Sequence, residues 1–412
     1  MVVDKKLIYI NLDGFSYSYY ENLLQQNPHA PLLGLIEMGL LFTNLQSGLI
    51  SITNPMQAGI LCGAYSNKTH NFYQHYDWER GEVIRHRRTC DAENIAELFL
   101  RHGKTAVSIH QFMLEGRPCV PGVKERAYIV CPQEKSNAFH RLDMLYRLID
   151  GQPVLSGDAV FTYDQLPDFT AVYIDDLDSL GHNNDYECYP KRADFGERQG
   201  DILERLARIS EQLLRIYRLL ERKELLENTL LLITTDHGMT PFFGKSMLQD
   251  LCLRLRSAGI RADLPMERNE DTRVVVLPYT IQLSLYCAPD ITGEERSRID
   301  HVCRSAPYTA CVLDRQEMQK AHDFDPRGPE FLIIPRYGIH FYHRDIGDDT
   351  FAASHDTGHE TSRHIFGLLL GGDTPRNQRC EEAWEVIDIL PAIAEKEYHW
   401  QLNGDRKKRI LR

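Results

Sequence analysis

The sequence predicts an α/β protein with a central, mostly parallel sheet flanked by helices and a smaller α+β subdomain inserted late in the chain. Three observations carry this. Short runs of apolar and β-branched residues at 6–12, 170–174 and 230–235 read as fully buried strands. A long amphipathic helix over 197–222 leads directly into the third run, a crossover of the length that joins parallel neighbours. Between 243 and 345 the pattern loosens into shorter helical and strand-like stretches. Aspartates follow all three runs, and in an open α/β sheet ligands bind in the crevice beyond the carboxyl ends of the strands.

Composition narrows the classes. The 412 residues allow one large α/β domain or two to three smaller ones. With 59 acidic against 47 basic residues the net charge is −12, which leaves no nucleic-acid-binding surface and no footprint for an anionic membrane. A polyanionic substrate then has to be held by bound cations or local donors. Ten cysteines without a CxxC pair read as reduced thiols. Only MVVDKK precedes the first apolar run, with no room for a signal peptide, so the expected compartment is cytoplasmic. No stretch approaches the roughly 18 apolar residues of a membrane span.

In chain order, KLIYINL at 6–12 is the first strand and ends at Asp13-Gly14. A helix follows over 31–38 and an extended piece runs through Phe42. SITNPMQAGILCG at 51–63 carries a helix start, with Thr53 and Asn54 both capping types, Pro55 suited to a first turn and Gly63 able to stop the helix. A hydroxyl at a helix start lies among unpaired N–H groups and suits an oxyanion or phosphate, although most capping threonines only cap. An aromatic loop follows, containing Tyr65, Phe72, Tyr73, Tyr76 and Trp78, which either covers a substrate or packs under a subdomain. Residues 91–102 read as helix and 105–109 as strand. The weakly periodic stretch 105–168, with a helix near 140–149, is expected to form a lid segment.

TAVYI at 170–174 restores the buried-strand pattern before Asp175-Asp176-Leu177-Asp178 and Gly181-His182, a loop able to turn Asp178 and His182 to one point. The 197–222 helix puts Ile202, Leu206, Ile209, Leu213, Ile216 and Leu220 on one stripe. LLLITTDHGM then ends in Asp236-His237, with Gly238 permitting a tight turn. Helices at 245–257 and 293–304 and strands at 273–277, 281–286 and 331–334 make up the smaller subdomain. A histidine-rich loop, SHDTGHETSRH at 354–364, leads to a buried strand at 365–370 and a closing helix at 384–394. The expected division is a core of 1–242 plus 346–405, a subdomain of 243–345 and a basic tail of 406–412.

Carboxylate plus imidazole is the ligand set of zinc and its neighbours, and two metals need about six protein ligands. Asp13, Asp178, His182, Asp236, His237 and His355 supply them at strand ends. Two cations ~4 Å apart suit in-line displacement at phosphorus, and one can turn the Thr53 hydroxyl into a nucleophile.

These residues, in this order, resemble the alkaline phosphatase superfamily over nearly the whole chain. DSxGH at 178–182 and TDHGM at 235–239 look like its nucleotide pyrophosphatase/phosphodiesterase branch, whereas the Thr53-Asn54-Pro55 stretch is similar to phosphonoacetate hydrolases. The resemblance implies two zinc ions, other divalent metals being alternatives. Asp13, Thr53, Asp236 and His237 would hold one, and Asp178, His182 and His355 the other. It also implies a phosphothreonine intermediate on Thr53, with Asn54 helping to bind a phosphoryl oxygen. His355 is preferred over His359 for its distance to Ile365, although Asp356 stands where the family has glycine. Tyr73 and His359 are weaker substrate contacts. The expected activity is hydrolysis of a soluble, nucleotide-like phosphate diester, with phosphonate hydrolase, phosphomonoesterase and ligand-binding pseudoenzyme as alternatives.

Overall fold

The computed structural model describes residues 5–131, 136–347 and 349–402; the basic tail expected at 406–412 lies outside the described residues. A mixed sheet forms the centre. Its principal strands are β1 (Lys6–Leu12), β2 (Gly39–Gln46), β3 (Ala106–Ile109), β4 (Phe169–Ile174), β5 (Thr229–Thr234) and β6 (His364–Gly371), in spatial order β2-β6-β5-β1-β4-β3. Gln378–Cys380 and Trp384–Glu385 pair with β2 at one edge, and Tyr128–Ile129 pairs with β3 at the other. β1 is parallel to β4 and β5, and β4 to β3. β6 is antiparallel to both neighbours, β5 and β2.

The two-residue period of a strand explains how this sheet is buried on both faces. On β1, Ile8, Ile10 and Leu12 join one core with the apolar stripe of the long helix Phe195–Arg222. Leu7 and Tyr9 join the opposite core with Met56, Ala58, Ile60 and Leu61 of helix α1 (Thr53–Cys62). Register keeps the carboxyl ends of β1, β4 and β5 level, since Asn11 lies opposite both Tyr173 and Thr234. The residues just beyond these strands therefore emerge side by side.

A second sheet runs in the order Ala262–Asp263, Val274–Pro278, Leu283–Cys287, Phe331–Pro335, Thr309–Asp314. It packs helices Leu248–Ser257 and Gly293–Ser305 into a core of its own. Within 105–168, β3 and Tyr128–Ile129 extend the main sheet, and helix Ala138–Asp150 packs against Phe195–Arg222.

The sequence pattern leaves two elements unassigned and misplaces a third. Tyr17–Gln26 is a helix whose buried face is mostly tyrosine, a residue that favours strands as readily. Thr309–Asp314 pairs with Phe331–Pro335 through a bulge and has exposed positions, so it lacks a buried-strand signature. The closing helix begins at Ile389 instead of 384, because Trp384 is drawn into the sheet edge against Phe42 at a 5.8 Å ring separation.

Candidate active site and metal centre

Asp13 follows β1 directly and is fully enclosed. Gly14, at φ +79°, lets this turn approach the loop after β4: a Cβ there would lie 2.8 Å from the Asp178 backbone. Asp178 and His182 sit on α2 (Asp176–Gly181) and its C-cap. A short helix, not a loop, puts them on one face by i, i+4 spacing. Gly181 accommodates Met239, whose Cε would be 2.6 Å from a Cβ at that position. After β5, Asp236 and His237 are held by Ser47, whose hydroxyl donates to the Asp236 carbonyl at 2.5 Å, and by Thr235, whose hydroxyl donates to the His237 carbonyl at 3.0 Å. Gly238 has no left-handed φ. It is glycine because a Cβ would stand 2.3 Å from the Thr361 carbonyl oxygen.

Thr53 is the first residue of α1, directly behind Ile52, which holds the N-cap position in its place. The hydroxyl instead lies 3.1 Å from His237 Nε2. One turn on, Gln57 fixes the helix from below: its amide donates to Asn11 Oδ1 at 2.8 Å and accepts from Gln111 Nε2 at 2.8 Å. Asn54 lines the cleft next to Thr53.

Three histidines are oriented alike. Nδ1 donates to a backbone carbonyl in each: His182 to Ala353 at 2.9 Å, His237 to Gly238 at 3.0 Å and His355 to Ser51 at 2.7 Å. Every Nε2 thus turns inward, as in metal-binding imidazoles whose second nitrogen is tied by an outer partner. Nε2 of His237 lies 3.1 Å from Asp13 Oδ1 and 3.5 Å from Asp236 Oδ2. Those of His182 and His355 lie 3.3 and 3.6 Å from Asp178 Oδ1. The rings of His237 and His355 stack at 3.6 Å.

The charge balance favours cations here. Asp13 Oδ1, Asp178 Oδ1 and Asp236 Oδ2 are buried and accept no hydrogen bond among the described residues. Burial, reinforced by Asp236 and Asp178, holds the Asp13 carboxyl well above its usual range, and burial also raises Asp236. Burial opposes a charge on His182 as well, yet the neighbouring Asp178 carboxylate lifts its pKa to about 9, a sign of how strongly the site favours positive charge. Burial and then His237 depress His355, which leaves its Nε2 a free lone pair. Two groups could each hold an ion: Asp178 with His182 and His355, and Asp13 with Asp178 and His237, the ligand atoms in each lying within 4.8 Å of one another. Thr53 and Asp236 adjoin the second group, and Asp178 stands between the two. This donor set fits divalent metal.

His355 enters the cluster and His359 does not. His359 Nδ1 is engaged by the Thr361 hydroxyl at 2.8 Å at the start of a short helix. Asp356 stitches the His355 loop to the second sheet by accepting from the Thr280 and Ile281 N–H groups at 2.6 and 2.8 Å and from the Ser354 hydroxyl. A cleft of about 360 Å³ opens over Thr53 and is walled by Tyr73, Arg85, Tyr279 and Asp356. Sequence reasoning overlooks Tyr173, whose hydroxyl donates to Asp13 Oδ2, and likewise Gln57, Arg85, Tyr279 and Asp356. Only Tyr173 has a local signal, as a polar-tipped residue near the end of a buried strand.

Residues 7–363 match the type I phosphodiesterase/nucleotide pyrophosphatase family. The chain belongs to this family. It is accordingly a phosphodiester hydrolase of the alkaline phosphatase superfamily. Solved structures share its fold: murine ectonucleotide pyrophosphatase/phosphodiesterase 5 at a TM-score of 0.63 and 15% identity, covering 98% of this chain and 96% of the other. The human protein of that name aligns with the same figures. An inactive threonine-to-alanine form of the murine protein in complex with AMP aligns at a TM-score of 0.62 and 15% identity, with the same coverage. No curated protein sequence matches the chain significantly.

Proposed function

We propose that this phosphodiesterase uses two zinc ions and a Thr53 nucleophile to hydrolyse a nucleotide-like phosphate diester or pyrophosphate through a phosphothreonine intermediate. The observation that carries the reading is the Thr53 hydroxyl, 3.1 Å from His237 Nε2 and beside three carboxylates that each keep one buried oxygen without a donor among the described residues. Asp13, Asp236, His237 and Thr53 would hold one cation and Asp178, His182 and His355 the other. Bound there, the pair would acidify the hydroxyl and stabilise charge on the attacking and leaving oxygens. In the first step Thr53 Oγ1 forms a bond to phosphorus, the bond to the leaving oxygen breaks and the leaving group departs. Water then attacks the phosphothreonine, the Oγ1–P bond breaks and Thr53 regains its proton. Asn54, which lines the cleft, would donate to a phosphoryl oxygen. The inactive threonine-to-alanine form of the murine neighbour and its AMP complex support a nucleotide-like substrate.

The test is an assay of zinc-loaded protein with bis(4-nitrophenyl) phosphate, 4-nitrophenyl phosphate and phosphonoacetate. The diester is expected to turn over fastest, and Thr53→Ala to lower kcat by several orders of magnitude, as loss of a nucleophile does. A wild-type rate in Thr53→Ala would overturn the mechanism. Preferential turnover of phosphonoacetate would instead favour the phosphonate hydrolase suggested by Thr53-Asn54-Pro55.

A further inference from the structure

A short hairpin, Gln74–Asp77 paired with Glu82–Arg85, walls the outer cleft. Cross-strand partners share a face, so Arg85 stands beside Gln74. Gln74 is fastened to the second sheet: its side-chain amide donates to the Pro278 carbonyl at 3.3 Å, and its own carbonyl accepts from the Tyr286 hydroxyl at 3.4 Å. Tyr76 packs alongside against Val275, Leu277 and Tyr286. Arg85 is therefore exposed on a fixed ribbon that faces the cleft containing Thr53, Asn54 and Asp178.

Arg80 lies 3.7 Å from Asp77, and Arg88 is paired with Glu115. Arg85 has no carboxylate partner among the described residues, in a chain with twelve more acidic than basic side chains. A guanidinium fork matches the geometry of a phosphate. Cations at the metal centre would be occupied by their carboxylates and by the phosphoryl group under attack, so any additional phosphate of the substrate needs a partner of its own.

We propose that Arg85 is a specificity-determining residue whose guanidinium binds a second phosphate group of the substrate and sets the preference between substrates that carry one and esters that do not. The inference rests on the phosphodiesterase reading above. It is tested by measuring kcat/KM of the zinc-loaded protein for ATP and for the 4-nitrophenyl ester of thymidine 5′-monophosphate, which has no second phosphate. Arg85→Ala is expected to lower the ratio of ATP to ester kcat/KM at least about tenfold, mainly through KM for ATP, with Arg85→Lys recovering part of the loss. An unchanged ratio overturns the assignment. Wild-type turnover of the ester without turnover of ATP also overturns it while leaving the phosphodiesterase reading intact. Turnover of neither substrate by zinc-loaded protein overturns both.

Discussion

Among single residues, Asp356 shows best how a departure from family pattern can be structural. The glycine of relatives is replaced by a carboxylate that takes up two backbone N–H groups from the Thr280–Ile281 turn, and His355 is thereby tied to the second sheet. Asp356→Ala frees the loop and leaves those donors unpaired. The expected result is about a 10–100-fold loss of zinc affinity at the site containing His355, as for other outer partners of metal ligands, read by competition with a chromophoric chelator. The residues that meet at the centre were legible because three buried strands each lead into an aspartate. Asp356, Gln57 and Arg85 were not, because the backbone donors of Asp356 and the amide partners of Gln57 lie 46 or more positions away, and Arg85 has no carboxylate partner among the described residues. Thr53 lies between these cases: its helix could be read, but only tertiary packing reveals that its hydroxyl faces His237 instead of capping.

At the scale of elements, the attachment of the aromatic loop to the second sheet depends on Asp325. Its carboxylate accepts from Arg327 Nη2 at 2.6 Å and from His70 Nδ1 at 2.9 Å, and its N–H donates to the Ser66 hydroxyl at 3.0 Å. Burial disfavours the charge, but the Arg327 and His70 contacts outweigh it and hold Asp325 at about 2. A folded pKa below the unfolded value of about 3.9 gives stability that is complete above that pH and lost as pH falls toward 2. Asp325→Asn should remove this part of the acid transition, measured as unfolding between pH 4 and 2 by circular dichroism. The parallel crossover into β5 was legible from one apolar stripe and one apolar run. Tyr17–Gln26 and Thr309–Asp314 were not, since tyrosine-rich and half-exposed segments carry no period that separates helix from strand.

For the whole molecule, three carboxylates and three imidazoles from distant parts of the chain are crowded together at the base of one cleft, and Asp13, Asp178 and Asp236 repel one another there. Divalent cations that bind only the folded form add RT ln(1 + [L]/Kd), about 2.7 kcal/mol at one hundred times Kd. Zinc should therefore raise Tm in a concentration-dependent manner and a chelator should lower it. A Tm indifferent to both would argue against a metal centre. The mixed sheet and its helices were legible as a class. Strand order was not, because pairing of β2 with β6 joins segments more than 300 residues apart.

That pairing has a consequence for the chain as it leaves the ribosome. Among the described residues β2 pairs only with β6, Gln378–Cys380 and Trp384–Glu385, all more than 300 positions later in the chain. Until residue 371 has emerged, β2 and the open side of β5 are unpaired apolar edges, the kind of surface that aggregates or engages chaperones. His355 emerges at the same late stage. Nascent chains stalled before β6 would thus be sticky, and those stalled before residue 355 would also lack one of the proposed metal ligands.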